Sequence, residues 1–141
     1  MTDNLQREIK FRAWDKETGK MHYVVNKPRT EENVDDELII QFDCTGYSAR
    51  TDKKYIGKEC LMQFTCLLDK NGKEIYEGDI VKYPLDDSKD VIYEIIWNQS
   101  AFSLKENNYV TSFILNHEWE KRLKVIGNKF ENPELLEAKN D

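Results

Sequence analysis

Apolar and polar side chains alternate along much of the chain, beginning at Glu8-Ile9-Lys10-Phe11-Arg12-Ala13-Trp14. Ile9, Phe11 and Ala13 fall on one face and the charged side chains on the other. A period of two predicts a half-buried β-strand. Asp15-Lys16-Glu17-Thr18-Gly19-Lys20 carries turn chemistry, and residues 21–25 predict the return strand of a hairpin. Residues 26–37 show no period and predict a loop or a single helical turn. A short strand is expected over 38–42, and the polar, glycine-bounded stretch 45–57 predicts another loop. Strand character resumes over 60–65.

The second half has a more regular beat. Asp69-Lys70-Asn71-Gly72 predicts a tight turn, because Asn-Gly tolerates the positive φ angles such turns require. Strands are then expected over 80–83, ended by Pro84, and over 91–97, 101–105, 109–115 and 123–126. Polar turns separate them, including an acidic one over 86–90. Short strands at this spacing predict a small barrel or sandwich. In the tail, Asn132-Pro133-Glu134 has the residue types that open a helix: a capping Asn, Pro at the first position, and an acid at the positive end. The expected fold is mainly β. An N-terminal hairpin region spans 1–68, with an irregular insertion at about 26–57. A small barrel with a short C-terminal helix spans 69–141.

Three strings are specific enough to carry a resemblance. They are Arg7-Glu8-Ile9-Lys10-Phe11-Arg12-Ala13-Trp14-Asp15, then Leu61-Met62-Gln63-Phe64-Thr65 continuing through Leu67 to Val81, and Val125-Ile126-Gly127-Asn128 with Phe130-Glu131-Asn132-Pro133-Glu134-Leu135-Leu136. In this order and spacing they resemble the YopX family. The resemblance implies a protein encoded by a phage or prophage of Gram-positive bacteria, with an SH3-like barrel in its C-terminal part. It brings no activity, cofactor or site residue with it. One departure stands out: where the family usually has Gly, this chain has Cys66. If that position needs a positive φ, a cysteine is strained there.

Charge narrows the function classes. The chain has 27 acids against 21 bases, a net charge of −6, interspersed rather than blocked. Phosphate backbones are bound by Lys and Arg displacing counterions, so the overall sign disfavours a nucleic-acid platform. No apolar run approaches the length of a membrane span. Three cysteines, Cys44, Cys60 and Cys66, leave at least one unpaired and fit a reducing bacterial cytoplasm.

Reactive constellations are sparse. His22 and His117 are the two histidines, far apart in sequence. His117-Glu118-Trp119-Glu120 has Lys121 where a zinc-protease string needs its second histidine, so the zinc reading fails. The cysteines have no close pair for metal, and the acids Glu31, Glu32, Asp35, Asp36 and Glu37 lack the alternating ligands and central Gly of a calcium loop. No phosphate-binding glycine motif is present. Glu77-Gly78-Asp79 reads as a strand opening, with Gly making the turn and Asp capping amides. The expectation is therefore a non-catalytic protein with no cofactor and no metal. Its contacts would be with proteins, a second copy of itself or a host or phage protein. The candidate surface is aromatic, because small barrels bind extended segments between such walls: Tyr76, Tyr83, Tyr93, Trp97 and Tyr109. Arg12 and Trp14 join it as a displayed aromatic and basic face. That face also motivates an alternative, a single-stranded nucleic-acid accessory role. A third reading, an enzyme of unknown type, requires His22, His117 and acids to converge in a pocket.

Overall fold

The structure, a computed structural model, describes residues 8–24, 37–43, 51–86 and 89–137. The acids at 31–36, Cys44 and the centre of the turn at 87–88 lie outside the described residues. The described chain is mainly β, with eleven strands and three short 3-10 turns. It divides into two compact units, 1–63 and 64–141. The division falls inside a strand, whereas the sequence placed it at 68/69, where that strand ends.

In the first unit, β1 (Phe11–Asp15) pairs antiparallel with β2 (Lys20–Val24), from Phe11 opposite Val24 to Asp15 opposite Lys20. The turn between them is held by Asp15. Its carboxylate accepts from the Glu17 amide at 3.0 Å and from the Thr18 hydroxyl at 2.8 Å. Asp15 is buried, and so is Arg12, only 4% exposed, while Ile9 is 46% exposed. The alternation therefore marked the strand correctly and its displayed face wrongly. Ala13 and Arg12 are both covered, so β1 is enclosed on two sides. A second hairpin, β3 (Glu37–Asp43) with β4 (Thr51–Gly57), pairs in unbroken register from Glu37 opposite Gly57 to Asp43 opposite Thr51. The expected loop over 45–57 thus contains a full strand.

The carrier from one unit to the next is β5 (Leu61–Leu68). Its later residues pair with β6 (Glu74–Tyr76), and the register jumps between Phe64 and Leu67. Cys66 sits in that bulge at φ 70°, the left-handed region. The hydroxyl of neighbouring Thr65 fills the gap, donating to the Ile75 carbonyl at 2.7 Å and accepting from the Leu67 amide at 3.2 Å.

The second unit holds a five-stranded antiparallel sheet, made of β7 (Asp79–Asp86), β8 (Lys89–Asn98), β9 (Ala101–Glu106), β10 (Tyr109–Ile114) and β11 (Lys124–Asn128). Its order is β10-β9-β8-β7-β11, a meander whose last strand returns beside the first. Contrary to expectation, Pro84 does not end β7, which runs on to Asp86; it lies opposite Asp90 just before a register shift. A proline fits there because the ladder is already irregular. One core fills this unit, formed by Ile75, Val81, Tyr93, Ile95, Leu104, Leu115, Leu123 and Val125.

Buried polar groups tie the turns to this core. Asp69 accepts from the amides of Asn71 and Lys73 through one oxygen, at 2.8 and 2.9 Å, and from the Val125 amide through the other, at 2.9 Å. Gly78 makes the turn before β7 at φ 87°, and the buried Asp79 accepts from the Tyr76 amide at 2.7 Å. The reading of Glu77-Gly78-Asp79 as a strand opening holds. The expected C-terminal helix is a single 3-10 turn, Pro133–Leu136. Asn132 does not cap it. Its side-chain oxygen instead accepts from the Asn128 amide at 3.2 Å, close against Gly127, where a Cβ would collide with it.

Candidate binding surface

The β10 edge and the loop after it position the surface. Asn116 follows β10, and its side chain accepts from the Glu118 amide at 2.9 Å, opening a 3-10 turn over His117–Trp119. The Trp119 carbonyl then accepts from the amides of both Arg122 and Leu123, at 2.9 and 3.0 Å. This closed loop, anchored by buried Leu115 and Leu123, fixes the backbone beneath Trp119. The indole lies edge-on to Tyr83 at 5.4 Å and to Tyr93 at 6.4 Å between ring centroids, and tilted against Phe113 at 5.6 Å. Edge-to-face geometry sets the positive rim of one ring on the negative face of another, adding about 0.5–1.5 kcal/mol per pair beyond burial.

Beside this cluster runs a groove of about 340 Å³ lined by Ser112, Phe113, Ile114, Asn116, Glu118, Trp119 and Arg122. Arg122 is one of its walls, its guanidinium donating to the Tyr83 hydroxyl at 3.3 Å. Burial pushes the Tyr93 phenol above its ordinary pKa, aided by the nearby Glu106 charge, so that ring stays neutral. The groove walls are thus apolar rings and amide or hydroxyl groups, with one cation and one carboxylate at the rim.

The expected residues divide. Tyr83 and Tyr93 come together around Trp119. Tyr109, strongly exposed, opens β10 on the same edge strand as Phe113 and Ile114. Trp97 forms a separate pair with Phe102, its cross-strand partner, with centroids 4.9 Å apart. Tyr76 is buried against Phe64, with its hydroxyl donating to Glu74 at 3.2 Å, so it is a packing residue and no groove wall. Arg12 and Trp14 lie in the first unit, and the buried Arg12 is not displayed as expected. Its guanidinium lies inside because the opposite face of β1 is covered too.

The reactive groups lie in different units. His22 is on β2, 3.6 Å from the Asp15 carboxylate. His117 is in the turn after β10. Among the described residues, no group of three or more His, Cys, Asp or Glu is arranged to hold a metal ion. No helix among them is long and apolar enough to cross a membrane. Phe113, Trp119 and Arg122 went unnoticed in the sequence. Their one signal in the sequence is Trp119 within His117-Glu118-Trp119-Glu120, an aromatic in a loop between two strands.

Comparison with known proteins gives family and fold. The family model described as YopX protein matches residues 10–137. Protein EF1440 from Enterococcus faecalis is 29% identical, with a TM-score of 0.62 over 94% of this chain and 100% of that one. Protein yopX from Bacillus subtilis has the same fold at 24% identity, with a TM-score of 0.60 over 91% of this chain and 98% of that one. No curated protein matches.

Proposed function

The chain belongs to the YopX family, and from that premise we propose that it is a non-catalytic binding or assembly protein of a phage or prophage, acting through protein–protein contacts in the host cytoplasm. The observation that carries this reading is the β10 edge: Tyr109, Val110, Phe113 and Ile114 are all exposed along one strand beside an aromatic groove. Exposed apolar surface of this kind marks interaction sites on otherwise well-solvated chains. The meander with β11 returned beside β7 supports treating the second unit as an SH3-like barrel, a scaffold whose aromatic grooves take extended segments. The nucleic-acid alternative loses its main support with Arg12, which is buried where a phosphate contact would need it displayed.

Site-specific photo-crosslinking tests the proposal. A photoreactive side chain at Ile114 is expected to trap a discrete, identifiable protein when producing cells are irradiated. The same group at exposed Lys20 on β2 serves as the control. Trapping at Ile114 no greater than at Lys20 would overturn the reading, as would salt-sensitive retention on single-stranded DNA that accounts for all of the Ile114 material.

A further inference from the structure

We propose that Asn71 is a site of spontaneous covalent modification. Its side-chain amide is lost to attack by the Gly72 backbone nitrogen, at a rate set by how often the turn held by Asp69 opens. The inference is independent of the β10 surface and rests on the turn between β5 and β6.

Sequence singles out the position. Asn71 is the one asparagine in the chain that glycine follows. Glycine matters because the attacking nitrogen must swing onto the preceding side chain, and a Cβ on the following residue hinders that approach. Asn71 and Gly72 are both exposed, and a Cβ added at Gly72 would meet nothing within 4 Å. The reaction needs water and nothing else. The Gly72 nitrogen bonds the side-chain carbonyl carbon of Asn71 and gives up its proton through solvent. The bond from that carbon to the amide nitrogen breaks, and ammonia leaves a five-membered succinimide. Water then opens the ring at either carbonyl, so the product is aspartate or isoaspartate, with one more negative charge than before.

The fold restrains the first bond. The Gly72 amide donates to the Asp69 carbonyl at 3.0 Å, so the nucleophile keeps its proton and is held across the turn. The buried Asp69 carboxylate takes the amides on either side, Asn71 at 2.8 Å and Lys73 at 2.9 Å, and the Asp69 amide donates to the Lys73 carbonyl at 2.7 Å. The Gly72 nitrogen turns onto the Asn71 side chain only when this set of bonds breaks together. The folded chain is therefore expected to react about tenfold or more slowly than the unfolded one.

The product acts back on the fold. Isoaspartate routes the backbone through the side chain and inserts an extra carbon between Asp69 and Lys73, the pair whose bonds close the turn. The same turn holds β11, through the Val125 amide on Asp69 at 2.9 Å and the Lys70 amide on the Leu123 carbonyl at 2.9 Å. Modification thus loosens the turn from β11, and refolding does not reverse it.

The test uses the full chain, incubated at mildly alkaline pH in native buffer and in guanidinium chloride. Mass spectrometry of the peptide containing Asn71 is expected to show conversion about tenfold or more faster in the denaturant. Below the unfolding transition, the rate is expected to rise in step with hydrogen exchange of the Gly72 amide. Asp69→Ala is expected to speed conversion in native buffer; the denaturant series on the unaltered chain decides the matter should that variant not fold. No conversion at Asn71 in the unfolded chain overturns the site. Equal rates in the folded and unfolded chains overturn the restraint. The converted chain, separated by its added charge, is expected to exchange faster at the Lys70 and Val125 amides, and unchanged exchange there overturns the loosening of β11.

Discussion

Cys66 shows how a single residue can be judged from its backbone. It occupies the left-handed region at φ 70° inside the β5 bulge, where its Cβ crowds the carbonyl that follows. That conformation costs a non-glycine residue roughly 1–2 kcal/mol. Glycine removes the crowding but adds about 0.5–1 kcal/mol of unfolded-state freedom to be lost on folding. Cys66→Gly is therefore expected to raise stability by about 0.5–1 kcal/mol, read as an increase in the urea midpoint at constant slope. A fall in the midpoint would mean that the cysteine side chain contributes more than its backbone loses. The conditional strain attached to this position in the sequence becomes definite once φ is known. No property of the cysteine itself announces it; the strain follows from the bulge, which depends on how β5 and β6 pair.

Elements obey the same division between what a strand declares about itself and what its neighbours decide. Val91, Tyr93 and Ile95 alternate along β8 because one face packs on the core, and a period of two exposes that directly. β4 was missed because Lys53-Lys54-Tyr55 has no apolar alternation; its identity comes from a seven-residue ladder with β3. Arg12 was misread because period alone cannot tell a strand covered on one side from a strand covered on both. The aromatic site was partly legible for the same reason. Tyr83, Tyr93 and Tyr109 were visible as strand aromatics, but the ring that gathers two of them, Trp119, comes from a loop closed by its own backbone bonds. Among these links Asp69 binds two elements at once, joining the turn over 69–73 to β11 through three amides. Leaving a buried amide without an acceptor costs about 1–3 kcal/mol. Asp69→Ala is expected to destabilise the chain by about 2–4 kcal/mol, with faster hydrogen exchange concentrated at Asn71, Lys73 and Val125. Exchange rising uniformly over the sheet, or a loss under about 0.5 kcal/mol, would show that the carboxylate is not the clamp.

At the scale of the whole molecule the charge balance separates the competing readings through salt. A chain with 27 acids and 21 bases carries a long-range repulsion between copies. A contact made through the uncharged, apolar β10 edge would oppose it with surface to which salt is nearly indifferent. Screening shortens the range of repulsion, from about 30 Å at 0.01 M ionic strength to about 3 Å at 1 M. Self-association through β10 is therefore expected to tighten as salt rises, and to tighten again as pH falls toward the isoelectric point near 5.1. Binding to a nucleic acid runs the other way, because every neutralised phosphate releases counterions and added salt reverses the gain. Sedimentation equilibrium over a salt series thus gives a sign rather than a magnitude. Association that weakens with salt would mean that opposite charges form the contact, and the uncharged edge would not be what holds the copies together.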